Sequence, residues 1–233
     1  MPVVHWFDHR RVPDPTDADD NGLVAVGGRL DPEWLLAGYS RGLFPWSSRP
    51  ILNWWSPDPR AVFPLDRWRP HRSAFKAARL AGWRYSVDEA FDRVVESCAQ
   101  RAPGRRSTWI TSDFIAAYRV LHAQGHAHSV EVWRGDVLVG GLYGVHLGGF
   151  FGGESMFHRE TGASKAAVIY LIDRLRAGGF LMLDGQAPNA HLLNLGAVLQ
   201  NRHDFLADLR VAMTMSAHLG SGASSLDPRP GEG

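Results

Sequence analysis

Asp184 and Gln186 stand two residues apart, with Gly185 between them, at the end of an otherwise apolar run, Phe180–Leu183. Side chains two apart on a strand share a face, so this carboxylate and this amide can point at one place. Strand ends are where ligands meet sheets, which makes the pair a candidate for hydrogen-bonding or proton chemistry on a bound molecule. Glu154 is a third candidate. It is flanked by Phe150, Phe151, Met156 and Phe157, an apolar setting that raises a carboxyl pKa or demands a partner. The plain alternative for Glu154 is a structural carboxylate capping a nearby loop. Ser164-Lys165 reads either as an N-cap beside a solvated lysine or as an anion site at a helix start.

The elements that must position these groups run from Ser129 to Gln186. Ser129–Trp133 and Val137–Val145 are apolar, β-branched runs around the turn Arg134-Gly135-Asp136, a hairpin signal. A turn at His146-Leu147-Gly148-Gly149 leads into a third strand, Phe150–Phe157. Ala167, Val168, Leu171, Ile172 and Leu175 then share one helical face, and Gly178-Gly179 stops the helix before the last strand. Gly140, Gly141, Gly144, Gly148, Gly149, Gly152 and Gly153 are too many for a plain antiparallel sheet and point to bulges or close backbone approach.

The rest of the chain divides coarsely. Residues 1–62 are dense in Pro, Gly and Trp and are expected to form a small N-terminal domain with Trp/Pro-rich, mostly loop-like segments. Within it, Val24–Val26 is a short strand, and Asp31-Pro32-Glu33 opens a helix running to Arg41. Residues 63–219 form the main domain and 220–233 a disordered tail. Helices are expected over about 70–82, 88–101 and 112–125, the last capped by Thr111 or Ser112, with Ala102–Arg106 as a loop before it. Beyond Gln186 come a short helix at His191–Leu195, a strand at Ala197–Gln200 and a helix over about 204–215. The Trp residues of the N-terminal part, Trp46, Trp54 and Trp55 among them, are either core or an aromatic wall for a flat ligand.

Charge and composition exclude several classes. A formal net charge of +1 argues against coating nucleic acid by bulk charge. A local patch stays open, because Arg72, Lys76 and Arg79 fall along one helix face. That stripe is either a solvated face or a phosphate contact. The chain has two lysines, Lys76 and Lys165, so its cations are mostly arginine. One cysteine, Cys98, excludes an internal disulfide and reads as apolar packing. No apolar run is long enough to span a membrane, and the first residues lack a signal-peptide pattern, so a cytoplasmic location is expected. His122, His126 and His128 straddle a helix end without a nearby carboxylate in sequence, which argues against a metal site. No Walker loop, Cys-x-x-Cys pair or serine nucleophile elbow occurs.

Taken together and in order, a set of segments resembles the leucyl/phenylalanyl-tRNA–protein transferases from Phe7 to about Leu209. These are 22–28 (GLVAVGG), 42–46 (GLFPW), 54–60 (WWSPDPR), 108–110 (TWI), 128–131 (HSVE), 140–145 (GGLYGV), 153–157 (GESMF), 163–165 (ASK), 184–186 (DGQ), 191–192 (HL) and 195–197 (LGA). The resemblance implies an α+β fold: a GNAT-like acyltransferase domain with a mixed, largely antiparallel sheet and flanking helices, plus the smaller N-terminal α+β domain. It implies transfer of Leu or Phe, and less efficiently Met, from aminoacyl-tRNA to the N-terminal Arg or Lys of a protein. The product is marked for N-degron proteolysis. No metal or cofactor is expected, and a monomer is.

The resemblance also assigns roles. Asp184 and Gln186 become the catalytic pair, Gln186 orienting the attacking amine and Asp184 polarising it or taking its proton. Glu154 sits by the donor, on its α-ammonium, while Met156, Leu142, Val168 and Leu171 line the side-chain pocket. Trp46 and Trp109 stack on the terminal adenine, Asn189 bonds near the acceptor, and Arg72, Lys76 and Arg79 meet acceptor-stem phosphates. Family members commonly carry Cys where this chain has Gly185, which argues against a thiol intermediate. Two other readings stay open: an acyltransferase using acetyl-CoA or building cell wall, and a tRNA-binding module without catalysis. The first lacks its pyrophosphate-cradling signature here, and the second would tolerate loss of Asp184 and Gln186.

Overall fold

Alternate residues of the strands go to opposite faces of the main sheet, and each face has its own core. The computed structural model describes residues 4–48, 51–100, 108–220 and 222–224. The chain opens with β1 (His5–Trp6) and β2 (Leu23–Val26), passes through α1 (Pro32–Tyr39) and returns as the hairpin β3 (Phe44–Ser48) and β4 (Ile51–Trp55). These strands form a small sheet in the order β1-β2-β4-β3. Asp31 caps α1 by accepting from the Trp34 N–H at 3.3 Å, with Pro32 at the first helical position.

The Trp- and Pro-rich stretch expected to be mostly loop is therefore a hairpin. Its Trp54 ring is fully buried, stacks on Phe7 at 3.7 Å and donates from Nε1 to the Gly27 carbonyl at 2.9 Å. A ring held on both its apolar face and its polar edge fixes the strand that carries it.

The main sheet then assembles from β5 (Arg60–Phe63), α2 (Arg72–Leu80), β6 (Arg84–Val87), α3 (Phe91–Ala99), α4 (Ser112–Ala123), β7 (Ala127–Arg134), β8 (Val137–Leu147), β9 (Phe150–His158), α5 (Ala163–Ala177), β10 (Met182–Gln186), α6 (Ala190–Asn194), β11 (Val198–Gln200), α7 (Arg202–Ala212) and β12 (Gly222–Ser224). Strand order is β11-β5-β10-β9-β8-β7-β6-β12. β9 and β10, joined through α5, pair in parallel, and the other neighbours are antiparallel. The fold is thus α+β with a mixed, largely antiparallel sheet. β5 and β6 had no clear sequence signal, and β5 carries the chain into the main sheet directly after the small one. Of the tail expected to lack order, residues 222–224 pair with β6; 221 and 225–233, like the loop expected at Ala102–Arg106, lie outside the described residues.

Helix α3 starts at Phe91, later than the Asp88 expected to open it. Asp88 is spent elsewhere: it has φ +62°, accepts from the Ser129 N–H at 2.8 Å and pairs with His128 at 2.7 Å. Helices α2, α5 and α6 cover one face of the sheet, and α1, α3, α4, α7 and the small sheet cover the other. Phe63 and Val62, Phe151 and Phe150, and Leu183 and Met182 split between these two cores as a strand period of two requires. Among the described residues no helix is long and apolar enough to cross a membrane.

The parallel ladder between β9 and β10 runs through Met182↔Phe150, Leu183↔Phe151 and Asp184↔Gly152 and stops there. Beyond it the two strands part, and Glu154 on one and Gln186 on the other border the gap. The glycines of β8 let neighbouring elements approach the sheet closely. An added Cβ at Gly140 would lie 2.6 Å from the Ala163 Cβ at the start of α5. We expect Gly140→Ala to lower the free energy of unfolding by about 1–3 kcal/mol, read from urea denaturation; an unchanged midpoint would show that α5 can move away freely.

Candidate active site

The gap between β9 and β10 opens into a cavity of about 500 Å³. Phe63, Leu142, Met156, Val168, Leu171, Leu183 and Leu192 give it an apolar wall, Phe44 and Trp109 stand on it from the core on the other face of the sheet, and Trp46 of β3 lines it as well. Glu154, Ser155, Asp184, Gln186, Asn189 and His191 are among its polar and charged members. Ten expected site residues therefore share one cavity: Leu142, Glu154, Met156, Val168, Leu171, Asp184, Gln186, Asn189, Trp46 and Trp109. An apolar pocket with a few convergent polar groups is the usual build of a small-molecule site.

Asp184 is held by a residue that sequence reasoning did not single out. Arg60, at the start of β5, donates from Nε to Asp184 Oδ1 at 2.9 Å and from Nη2 to Oδ2 at 2.7 Å. Its Nη1 donates to the Gly42 carbonyl at 3.1 Å. Both side chains are 1% exposed, and the guanidinium lies between the rings of Phe44 and Phe205, 4.8 and 4.4 Å from their centroids. Fork-to-fork pairing uses the planar geometry of both ions. The signal was present: an arginine opening the apolar run Ala61-Val62-Phe63 must find a carboxylate inside.

Gln186 reaches the cavity by a route other than strand alternation. The ladder to β5 shifts register between Asp184 and Gln186, and Gln186 has φ +64°. A non-glycine residue in this region needs holding. Asp184 Oδ1 supplies that by accepting from the Gln186 N–H at 2.7 Å. The Gln186 side chain then donates from Nε2 to Glu154 Oε1 at 2.7 Å. Gly185 points off toward Leu192, the Ala61 carbonyl and Phe63.

Glu154 also accepts from Tyr39 of α1 at 2.8 Å and from Tyr118 of α4 at 2.8 Å, and those two hydroxyls are 2.6 Å apart. Burial pushes its carboxyl up to about 7, against the pull of the three donors, and Asp184 pushes the same way. Tyr39 and Tyr118 are held well above the usual phenol range, first by burial and then by Glu154. Neither tyrosine carries a sequence signal of its own, since both look like ordinary core aromatics on helices.

The outer groups fall as follows. Trp46 is 42% exposed and Trp109 half-buried, so both present ring surface to the cavity. Asn189 caps α6, its Oδ1 accepting from the Leu192 N–H at 3.0 Å. Arg72, Lys76 and Arg79 are exposed along α2, away from the cavity, with no carboxylate in ion-pair range among the described residues. Gly162, and not Ser164, is the N-cap of α5; Ser164 is buried with its Oγ 3.4 Å from His158 Nδ1. His128 does have a carboxylate, the sequence-distant Asp88, yet the described residues contain no group of three or more His, Cys, Asp or Glu side chains that could hold a metal. Because Arg60 has no access to water, Asp184→Ala is expected to lower stability by about 3–5 kcal/mol; chemical denaturation showing less than about 1 kcal/mol would mean that the pair contributes little to folding.

Residues 62–210 match the sequence model of the family described as leucyl/phenylalanyl-tRNA protein transferase, and residues 28–58 match that of its N-terminal domain. Curated relatives include the leucyl/phenylalanyl-tRNA--protein transferase of Shewanella denitrificans, 52% identical over 82% of this chain and 82% of that one. The protein of the same name from Shewanella pealeana is 49% identical over 97% of this chain and 95% of that one. Among solved structures, L-PGS from Bacillus licheniformis aligns at 11% identity over 81% of this chain and 73% of that one, with a TM-score of 0.46. A GCN5-related N-acetyltransferase-like protein from Streptococcus suis aligns at 14% identity over 62% and 58%, with a TM-score of 0.37. The chain belongs to the leucyl/phenylalanyl-tRNA protein transferase family and is an aminoacyltransferase.

Proposed function

We propose that this enzyme moves Leu or Phe, and less efficiently Met, from aminoacyl-tRNA to the N-terminal Arg or Lys of a protein. It does so in the cytoplasm as a monomer, and the new N-terminus marks the acceptor for N-degron proteolysis. The observation that carries the reading is the apolar cavity with Gln186 and Glu154 in its wall and two tryptophans beside it. The cavity takes the aminoacyl side chain; Met156, flexible and half-buried, suits it to both a branched and an aromatic occupant. Trp46 and Trp109 stack on the 3′-terminal adenine. Apolar walls discriminate weakly among similar apolar groups, which agrees with several accepted donors.

The donor ester is already activated, so nitrogen attack needs positioning more than energy input. The amine nitrogen bonds to the ester carbonyl carbon, the carbon–oxygen bond to the ribose breaks, and the ribose oxygen leaves. The amine gives up one proton and the departing oxygen gains one. An α-amine with a pKa of about 8 is partly neutral at pH 7. With its Nε2 on Glu154, Gln186 keeps its Oε1 for the amine N–H and orients the lone pair. Asp184 acts through Gln186: its oxygens are engaged by Arg60 and by the Gln186 N–H, so it positions the backbone instead of taking the proton. Arg72, Lys76 and Arg79 meet acceptor-stem phosphates without reading sequence.

Purified protein given labelled Leu-tRNA or Phe-tRNA, a peptide beginning with Arg, and no ATP should label that N-terminus and leave an acetylated one unlabelled. Gln186→Ala should reduce kcat about 100-fold with tRNA affinity retained; tRNA binding without transfer in the wild type would leave a binding module instead. The double variant Arg72→Glu, Lys76→Glu should raise KM for aminoacyl-tRNA about tenfold at low salt, the difference shrinking as salt rises. A KM unmoved across the salt series would reduce α2 to a solvated face.

A further inference from the structure

Tyr39, Tyr118 and Glu154 make three close oxygen–oxygen contacts, and the two phenols bring two protons to fill them. The Tyr39 and Tyr118 hydroxyls are 2.6 Å apart, Tyr39 is 2.8 Å from Glu154 Oε1, and Tyr118 is 2.8 Å from Oε2. With Glu154 ionised, both phenols can donate to it, but then two hydroxyl lone pairs face each other at hydrogen-bond distance. Alternatively one phenol donates to the other, and a carboxylate oxygen faces a lone pair. A third proton removes the conflict, because each of the three groups then donates once and accepts from its neighbour.

We propose that Glu154 carries that proton in the resting enzyme below neutral pH and gives it up as pH rises through neutrality, closing while protonated a hydrogen-bonded ring with Tyr39 and Tyr118 that positions Gln186. In the ring Glu154 Oε2–H donates to Tyr118, Tyr118 donates to Tyr39, and Tyr39 donates to Glu154 Oε1, which also accepts from Gln186 Nε2. The inference rests on the aminoacyl-transfer reading for its purpose, though not for its geometry. The surroundings favour the neutral acid. Glu154 is 9% exposed, burial raises its pKa, and Asp184 on β10 opposes a second negative charge nearby. Tyr143 of β8 acts on both phenols in the same sense as burial, and Arg60 is committed to Asp184. Low dielectric strengthens a fully satisfied network of this kind.

The ring gives Glu154 a role different from the ammonium partner expected from sequence. A neutral carboxyl does not hold an ammonium ion, so the cavity wall favours the amine in its nucleophilic, uncharged form. It also leaves the aminoacyl pocket without an unpaired charge, which an apolar side chain could not solvate. Tyr39, Tyr118 and Glu154 are thus positioning residues acting through Gln186.

The test is infrared difference spectroscopy of wild-type protein against Glu154→Gln, whose amide reproduces one donor and one acceptor in the same shape. At about pH 6 the difference should contain the C=O stretch of a protonated carboxyl, lost as pH rises through neutrality. Tyr118→Phe removes two of the three contacts and separates the two arrangements. With Tyr118 as the acceptor of the Glu154 proton, its loss should move the midpoint down by about one pH unit or more. With Tyr118 only a donor to the carboxylate, its loss would move the midpoint up and overturn the ring. Carboxylate stretches alone at about pH 6, or an unmoved midpoint in Tyr118→Phe with Tyr39→Phe behaving likewise, would overturn the ring. A second readout uses the full reaction: kcat/KM of the wild type should bend downward above the same midpoint, and Glu154→Gln, measured relative to its own value at about pH 6.5, should lack that bend. Because the spectra need no tRNA, a failure of the transfer reading leaves them standing. A bend that persists in Glu154→Gln would overturn the positioning role.

Discussion

The buried pair of Arg60 and Asp184 is the constraint on which the site depends. A guanidinium with no access to water is tolerable because both oxygens of one carboxylate, one carbonyl and two aromatic faces surround it. These partners come from different parts of the chain: Gly42 and Phe44 from around β3, Asp184 from β10 and Phe205 from α7. One ion therefore fixes the small sheet, the strand end and the last long helix relative to each other. Such pairs are weak evidence for net stability, but a displaced partner leaves a bare charge inside, which penalises other arrangements of these elements. The same carboxylate holds the Gln186 N–H, so the pair sets the backbone of a residue in the cavity wall.

A parallel pair that stops after Asp184↔Gly152 solves a second problem. A continuous ladder would leave no room for a ligand between β9 and β10. Where pairing ends, the strands offer side chains into the gap, and the two cores of the sheet meet there. Side chains of the α5 face make the pocket apolar, and the face carrying the small sheet contributes Phe44, Trp46 and Trp109. The cavity thus joins a dry pocket to an aromatic wall with the polar groups between them. That order matches a molecule with an apolar side chain, a reacting ester and a flat base in sequence.

Much of this was legible in the residues. The strands β7, β8 and β9, the helix α5 and the Asp184-Gly185-Gln186 terminus follow from periodicity and turn chemistry, and the roles implied by the family resemblance named ten residues that line one cavity. What was not legible had tertiary causes. The β3–β4 hairpin carries prolines and tryptophans that read as loop until Trp54 is seen stacked on Phe7. Asp88 looks like a helix cap, but a strand 40 residues away claims its carboxylate. Arg60 sits in a run whose meaning depends on Asp184, 124 residues on. Tyr39 and Tyr118 lie on two helices whose packing brings their hydroxyls together, and no local pattern encodes that.

Two buried carboxyls that line one cavity differ in their partners. Asp184 faces a cation in bidentate geometry, so its negative charge is matched where it stands. Glu154 faces two phenols and an amide, all neutral, and among the described residues no cation pairs with it. Environments that differ in this way assign different protonation states to chemically similar groups. The difference is useful because the two are linked through Gln186, which Asp184 holds by its backbone and Glu154 by its side chain. The anchor formed by Asp184 and Arg60 fixes the strand end by geometry. With Glu154 protonated as proposed, the amide oxygen of Gln186, and not a competing carboxylate, would be the acceptor that an incoming amine meets.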